Sequence, residues 1–285
     1  MQPAQKVALI TGADGGLGRA TAVQLARRGV ELLLASRDAK KGQQLAEDIA
    51  NIHPGAKITS LALDLGNLSS VKRVANLVIE QVPRLDWLIN NAGVFIPPLT
   101  FTDNGFESQF GINHLGHFAL TVGLQEKLSQ AHSCRVITVS SSVHRFAQIN
   151  WQNLNAEKHY SRWHAYAVSK LANLLFTHAL QTRLPGQSLA FAVHPGYVAT
   201  AITRHLALGS LGNKIFGQSP DQAIAGILRA CEDEDLAPAS YIGPAGLIGL
   251  RGTAEILKPS RHTLNPELAE KLWQHSEQLT NFHWS

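Results

Sequence analysis

The chain has 285 residues, of which 45% are apolar and 16% charged, and carries a net charge of +4. That balance supplies a full hydrophobic core and excludes a disordered, collagen-like or low-complexity protein. The basic residues are spread along the chain rather than gathered on one arm, a pattern that suits an anionic small ligand and argues against a nucleic-acid duplex. Cys134 and Cys231 have no CxxC pairing and no histidine at metal spacing, so neither a disulfide framework nor a metal site is expected. Residues 1–6 lead directly into an apolar strand pattern without the long apolar run of a secretory signal. Runs such as Glu31–Ala35 fall far short of the ~20 residues needed to cross a bilayer. A cytoplasmic protein with no membrane span is the expectation.

From the N-terminus to about residue 249, short leucine-rich or β-branched runs alternate with longer stretches of helical periodicity. Strands are predicted near 6–11, 31–36, 58–63, 85–90, 134–140, 188–194 and 240–243. Helices are predicted near 16–28, 40–51, 69–82, 104–130, 162–183 and 219–232. Unbroken alternation of this kind is the pattern of βαβ units, and it predicts an α/β, doubly wound, Rossmann-type sheet of seven parallel strands. No linker or charge block interrupts the series, so residues 1–285 are read as a single domain. Beyond residue 250 come Pro259 and Pro266, and then an amphipathic run near 267–280 with Leu268, Leu272 and Leu279, read as a last helix packed on the body.

Directly after the first predicted strand stands Thr11-Gly12-Ala13-Asp14-Gly15-Gly16-Leu17-Gly18, opening a helix rich in Ala and Leu. A glycine-rich turn after a strand is often only a tight connection. Here the strand before it and the helix after it give the context in which glycines let a backbone approach a pyrophosphate and the helix start supplies free N–H groups. The spacing satisfies both TGxxxGxG, through Gly12, Gly16 and Gly18, and TGxxGxxG, through Gly12, Gly15 and Gly18. After the second strand, where an NAD enzyme carries an acid for the ribose hydroxyls, this chain has Ser36 and Arg37. A guanidinium can pair with a 2′-phosphate, which favours NADP(H), with NAD(H) as the alternative. A solvated surface arginine is the plain reading, and Asp14 within the loop is a carboxylate that weakens phosphate binding nearby.

Tyr166 and Lys170 lie four residues apart in a strongly helical segment, so both project from one helix face. An ammonium beside a phenol favours the phenolate and brings the group toward the range useful for proton transfer. Such a pair on its own is common by chance. Its weight comes from Asn90-Asn91-Ala92-Gly93, Ser140-Ser141-Ser142 and His194-Pro195-Gly196, each after a predicted strand, together with Asn113. Each has an ordinary reading as turn or cap chemistry. In a doubly wound sheet, however, ligands bind at the carboxyl edge of the strands, where these segments converge.

The ordered set from Thr11-Gly12 through Asp64, Asn90-Asn91-Ala92-Gly93, Asn113, Ser141, Tyr166, Lys170 and Pro195-Gly196 resembles the short-chain dehydrogenase/reductase family. Asn113-His114-Leu115-Gly116-His117-Phe118, Val143-His144, Tyr160-Ser161-Arg162 and Leu272-Trp273 resemble its retinol-dehydrogenase-like branch. The resemblance implies TGxxxGxG as the glycine pattern, with Gly12, Asp14, Gly15, Gly16, Leu17, Gly18 and Arg37 at the cofactor's phosphates. It implies Tyr166 as general acid/base, Lys170 lowering its pKa and holding the nicotinamide ribose, Ser141 orienting the substrate oxygen with Ser142 as competitor, and Asn113 positioning a water. Asp64 and Leu65 are implied at the adenine, Asn91, Ala92 and Gly93 at its ribose, and Pro195, Gly196, Val198 and Thr200 at the carboxamide. The implied reaction is hydride transfer between nicotinamide and a carbonyl/alcohol pair of a small-molecule substrate. Reduction of a C=C bond and a non-catalytic dinucleotide-binding regulator are the alternatives.

Ser141 and Tyr166 are 25 positions apart, wider than in compact members of the family. An insertion around 145–160 is therefore expected to wall the pocket or obstruct helix packing between subunits, leaving a homodimer or a monomer open. The glycine-containing apolar stretch 199–218 suits a lid. Phe95–Leu99 and Phe146 offer apolar wall for a hydrophobic aldehyde, ketone or secondary alcohol. His114, His117, His144 and His194 sit on separate elements and are read as packing or hydrogen-bonding groups rather than metal ligands.

Overall fold

A computed structural model of the chain describes residues 5–131, 133–196, 218–246 and 249–285. Its first strand, β1 (Val7–Thr11), is buried along its whole length. Val7 and Leu9 enter one core cluster and Ala8 and Ile10 another, because successive side chains of a strand point to opposite faces of the sheet. The same division runs through β2 (Glu31–Ser36), with Leu33 and Ala35 on one face and Leu32 and Leu34 on the other. Strands covered on both faces read as continuous apolar runs, which is how these two read in the sequence.

The remaining strands are β3 (Ile58–Ala62), β4 (Trp87–Asn90), β5 (Arg135–Val139), β6 (Leu189–Val193), β7 (Tyr241–Gly246) and β8 (Arg251–Ile256). They pair in the order β3-β2-β1-β4-β5-β6-β7-β8, and β1 to β7 are parallel. Helices α1 (Gly16–Arg27) and α2 (Ala39–Ile52) bury Leu25 and Ile49 on one face of the sheet. On the other face lie α3 (Leu68–Gln81), with Val74, and the 20-residue helix Arg162–Gln181, labelled α7 below, with Leu171 and Leu175. The chain winds outward from β1 to β3, then returns to β4 and winds the opposite way. The crevice opened by that reversal lies at the carboxyl ends of β1 and β4.

Two expectations are corrected. The sheet has eight strands rather than seven, because residues 251–256 form β8, antiparallel to β7. Its side chains are exposed except for Ala254, so no apolar alternation betrays it, and its arginine, glutamate and glycine suit an edge strand. The continuous helix expected over 104–130 is instead α4 (Ser108–Phe110), a π turn over Gly111–Leu115, α5 (Gly116–Gly123) and α6 (Gln125–Gln130). The Glu107 carboxylate accepts from the amides of Gln109 at 2.9 Å and Phe110 at 2.8 Å and starts this array. Glycines bound the wide turn. A Cβ on Gly111 would stand 2.6 Å from the Thr102 methyl, and one on Gly116 2.4 Å from the Leu65 carbonyl oxygen.

After β6 come α8 (Pro220–Ala223) and α9 (Ala225–Glu232), and the described chain closes with α10 (Pro266–Thr280), capped by the Asn265 side chain. Trp273 of α10 is buried, stacks parallel to Phe176 at 5.9 Å between ring centroids, meets Phe118 edge-on at 4.9 Å, and lies under the Arg183 guanidinium at 4.1 Å. Both cysteines are buried and free. No helix among the described residues is long and apolar enough to cross a membrane.

Candidate active site

A cleft of about 550 Å³ opens at the carboxyl ends of β1, β4, β5 and β6. At one end the chain leaves β1 through Gly12, whose φ of +61° places it in the left-handed region. A Cβ there would stand 2.8 Å from Ala92 Cα, and one on Gly18 2.2 Å from the Gly12 carbonyl oxygen. These two glycines, common to both spacings read from the sequence, are sterically required. Gly15 caps α1, and helix geometry leaves the amides of Gly16, Leu17 and Gly18 without an intrahelical carbonyl. Asn91 braces this loop, its amide nitrogen donating to the Thr11 carbonyl at 2.7 Å and the Gly12 carbonyl at 3.2 Å.

Asp14, Arg37, Asp64 and Leu65 line the same end. Arg37 is exposed, and its neighbour Asp38 is turned back to cap α2, accepting from the amides of Lys40 and Lys41 at 3.0 and 3.2 Å. Asp64 accepts from the Gly66 amide at 2.8 Å, which shapes the turn beside the cleft. At the far end Pro195 and Gly196 line the cleft. Val198, Thr200 and the expected lid, apart from Gln218, lie outside the described residues.

The floor is built from α7 and the end of β5. Tyr166 and Lys170 both face the cleft from consecutive turns of α7, whose N-terminus is capped by Ser161. Lys170 is buried, with Nζ donating to the Val139 carbonyl at 3.0 Å and lying 5.6 Å from the Tyr166 ring centre. Burial lowers this ammonium to about 8. Burial also pushes the Tyr166 phenol up to about 12, opposed by a hydrogen bond from Ser141. Desolvation dominates at the phenol, and the Lys170 ammonium is directed at the Val139 carbonyl.

The serine run divides cleanly. Ser140 is buried and donates to the Lys170 carbonyl at 2.8 Å, whereas Ser141 and Ser142 line the cleft, with Ser141 Oγ accepting from the Val143 amide at 3.5 Å. Phe95 packs edge-on against Tyr166 at 4.7 Å and against Trp163 at 5.6 Å, forming an aromatic wall beside the phenol.

Asn113 is fully buried behind the cleft wall, where its side-chain Oδ1 accepts from the Val94 amide at 2.8 Å and its Nδ2 donates to the Val94 carbonyl and to Ser169 Oγ, each at 3.0 Å. With both ends of the side-chain amide engaged, Asn113 fixes the loop after β4. Among the described residues that line the cleft, none comes from the insertion at 145–160. The Tyr160 hydroxyl donates to the Pro97 carbonyl at 3.1 Å, and Asn155 accepts from the Glu107 amide at 2.6 Å, so the segment covers α4 and the loop after β4. Phe146 is 83% exposed and forms no part of the wall.

Residues that sequence reasoning left without a role complete the site. Thr11 accepts from the amides of Asn91 and Ala92 at 2.9 and 3.0 Å, while Val143 and Trp163 line the cleft beside Tyr166. Thr11 stood within the quoted glycine motif. Nothing in the local sequence marked Trp163, whose position depends on the helix cap at Ser161.

A nicotinamide dinucleotide fits this donor set: the close approach at Gly12 and Gly18 leaves backbone room for a pyrophosphate, and a buried ammonium stands at the opposite end among carbonyl and hydroxyl groups. Fold and cleft together define a Rossmann-type dinucleotide-binding protein. A family model described as short chain dehydrogenase matches residues 6–209. Retinol dehydrogenase 12 of Mus musculus is 38% identical over 285 residues, covering 98% of this chain and 87% of its own length. Retinol dehydrogenase 14 of Homo sapiens is 40% identical over 225 residues, covering 74% and 67%. The crystal structure of an uncharacterized protein from Mycobacterium paratuberculosis matches with a TM-score of 0.82 at 40% identity, over 99% of this chain and 96% of that one. The chain is an oxidoreductase that belongs to the short-chain dehydrogenase/reductase family, in its retinol-dehydrogenase-like branch.

Proposed function

We propose that the protein is an NADP(H)-dependent oxidoreductase that interconverts a hydrophobic aldehyde or ketone with its alcohol. The observation that carries this reading is that Tyr166 lines the cleft together with Ser141, one helical turn from the buried Lys170 ammonium. The glycine loop and the start of α1 would hold the pyrophosphate, Arg37 a 2′-phosphate, Lys170 the nicotinamide ribose, and Pro195 with Gly196 the carboxamide. The dinucleotide, when bound, supplies or accepts the hydride.

The chain's own groups manage the proton and the orientation. Ser141 orients the substrate oxygen toward the phenol. Tyr166, with its proton held up to about 12, donates that proton to the oxygen during carbonyl reduction and takes it back during alcohol oxidation. Phe95, Trp163 and Val143 give the substrate an apolar wall that keeps water from the reacting atoms. The named relatives are retinol dehydrogenases, which supports a lipophilic alcohol or aldehyde as substrate.

The test is a panel of short and bulky carbonyl compounds followed by NADPH absorbance, in the native protein and in Tyr166→Phe. The reading requires turnover of the bulky lipophilic members and its loss in the variant by at least about 10²-fold, with NADPH affinity retained. Turnover undiminished in Tyr166→Phe removes the phenol from the mechanism. Deuterium from labelled NADPH must appear on the carbinol carbon; its appearance on an alkene carbon would assign C=C reduction instead.

A further inference from the structure

The residue that fixes Ser141 is three positions along the chain. His144 is fully buried. Its Nδ1 lies 2.7 Å from the Ser141 carbonyl oxygen, and its Nε2 lies 3.1 Å from the backbone nitrogen of Ser260. The two partners settle the tautomer independently: a carbonyl can only accept, so Nδ1 carries the proton, and an amide can only donate, so Nε2 is bare. The His144 backbone amide also points at the Ser141 carbonyl, at 3.2 Å. One carbonyl is thus held from two directions, which fixes the peptide plane after Ser141 at the cleft that Tyr166 also lines, where the Ser141 side chain accepts from the Val143 amide at 3.5 Å.

We propose that His144 is a positioning residue for Ser141, clamping that residue's backbone in the orientation that delivers its hydroxyl to Tyr166 and the substrate oxygen, while Ser260 holds the imidazole in the required tautomer. The inference rests on the role given to Ser141 above. It links the segment leading into α10 to the reacting centre through one ring. The ring is further fixed by edge-on contact with Tyr241 at 5.3 Å. Burial holds His144 down to about 4, which keeps the ring neutral at pH 7.

The test separates the two hydrogen bonds. His144→Asn keeps an N–H close to the Nδ1 position and restores donation to Ser141. His144→Gln keeps an acceptor close to the Nε2 position and restores only the Ser260 contact. His144→Leu restores neither. The expected result is kcat within about threefold of native in His144→Asn and a loss of the order of 10–10²-fold in His144→Gln and His144→Leu, with KM for NADPH unchanged in all three, as small misplacements of a reacting group demand.

Should the ring variants fail to fold, the native protein itself gives a second readout: the ¹⁵N shifts of its assigned His144 ring at pH 7 are expected to show Nδ1 protonated and Nε2 bare, the tautomer that the Ser141 carbonyl and the Ser260 amide require. A proton on Nε2, or equal kcat in the Asn and Gln variants, overturns the inference. Ser141→Ala run alongside distinguishes the cases: native kcat there overturns the underlying role of Ser141 and this inference with it, whereas lost kcat in Ser141→Ala with native kcat in His144→Gln overturns the inference alone.

Discussion

The Thr11 hydroxyl and His117 Nε2 stand 2.8 Å apart in the core beneath the cleft. Thr11 Oγ1 already accepts from the amides of Asn91 and Ala92, so its own hydrogen goes to the imidazole. Nδ1 then carries the ring proton and donates it to the Asn113 carbonyl at 3.0 Å. A single neutral ring therefore joins the start of the glycine loop, the loop after β4 and the π turn. His144 has the same tautomer and the same kind of acceptor.

Keeping these rings neutral has a thermodynamic consequence. Burial lowers His114 to about 3 and His117, His144 and His194 each to about 4, from 6.5. In the unfolded chain each ring takes up a proton below about 6.5, whereas the folded protein resists until about 4, so stability is fully present above 6.5 and lost as the pH falls through that window. Each shift corresponds to an order of 3 kcal/mol. Urea unfolding between pH 7.5 and 5 is expected to show a steep fall in stability at constant m, and a shallower fall in His117→Asn. A flat profile contradicts the neutral, buried assignment.

Gly18→Ala places a methyl 2.2 Å from the Gly12 carbonyl oxygen, whereas Gly15→Ala places one at 3.3 Å from the same atom. The first is expected to destabilise the fold by about 1–3 kcal/mol and to weaken dinucleotide binding by more than tenfold, and the second to do much less. Calorimetric titration with NADPH beside thermal unfolding measures both. Equal effects at the two positions would refute the steric argument.

Arg37→Ala is expected to narrow the ratio of NADPH to NADH affinity by about 10–10²-fold, since a charge-assisted pair to phosphate contributes about 1.5–3 kcal/mol. The loss should fall on NADPH alone. An unchanged ratio by fluorescence titration removes the 2′-phosphate assignment.

Trp273→Ala tests how α10 is fastened. The ring stacks on Phe176, meets Phe118 and lies under Arg183, whose other end pairs with Glu270 at 2.7 Å. Truncation is expected to cost about 3–5 kcal/mol by chemical denaturation. A loss below about 1 kcal/mol would mean that α10 contributes little to the body.

Where local chemistry decides the conformation, the sequence was legible. Strands β1, β2, β4, β5 and β6 follow from doubly buried apolar runs, and the glycine loop follows from backbone contacts that only glycine tolerates. What the sequence did not reveal depends on contacts distant along the chain. β8 has no apolar periodicity because pairing with β7 holds it. The side chain of Asn113 is claimed by Val94 and Ser169, and Lys170 by Val139, none of which spacing can announce. The histidines were read as packing or hydrogen-bonding groups, but which partner each one holds is a property of the folded chain alone.

The wide turn at Gly111–Leu115 sets a constraint of a different kind. Each residue of a helix advances the chain by about 100° around the axis, so dropping or adding one amino acid in this turn would swing Asn113 and His117 out of register with each other. Substitutions elsewhere in the array are questions of fit. Here length is the invariant, and a one-codon deletion would do more harm than most replacements.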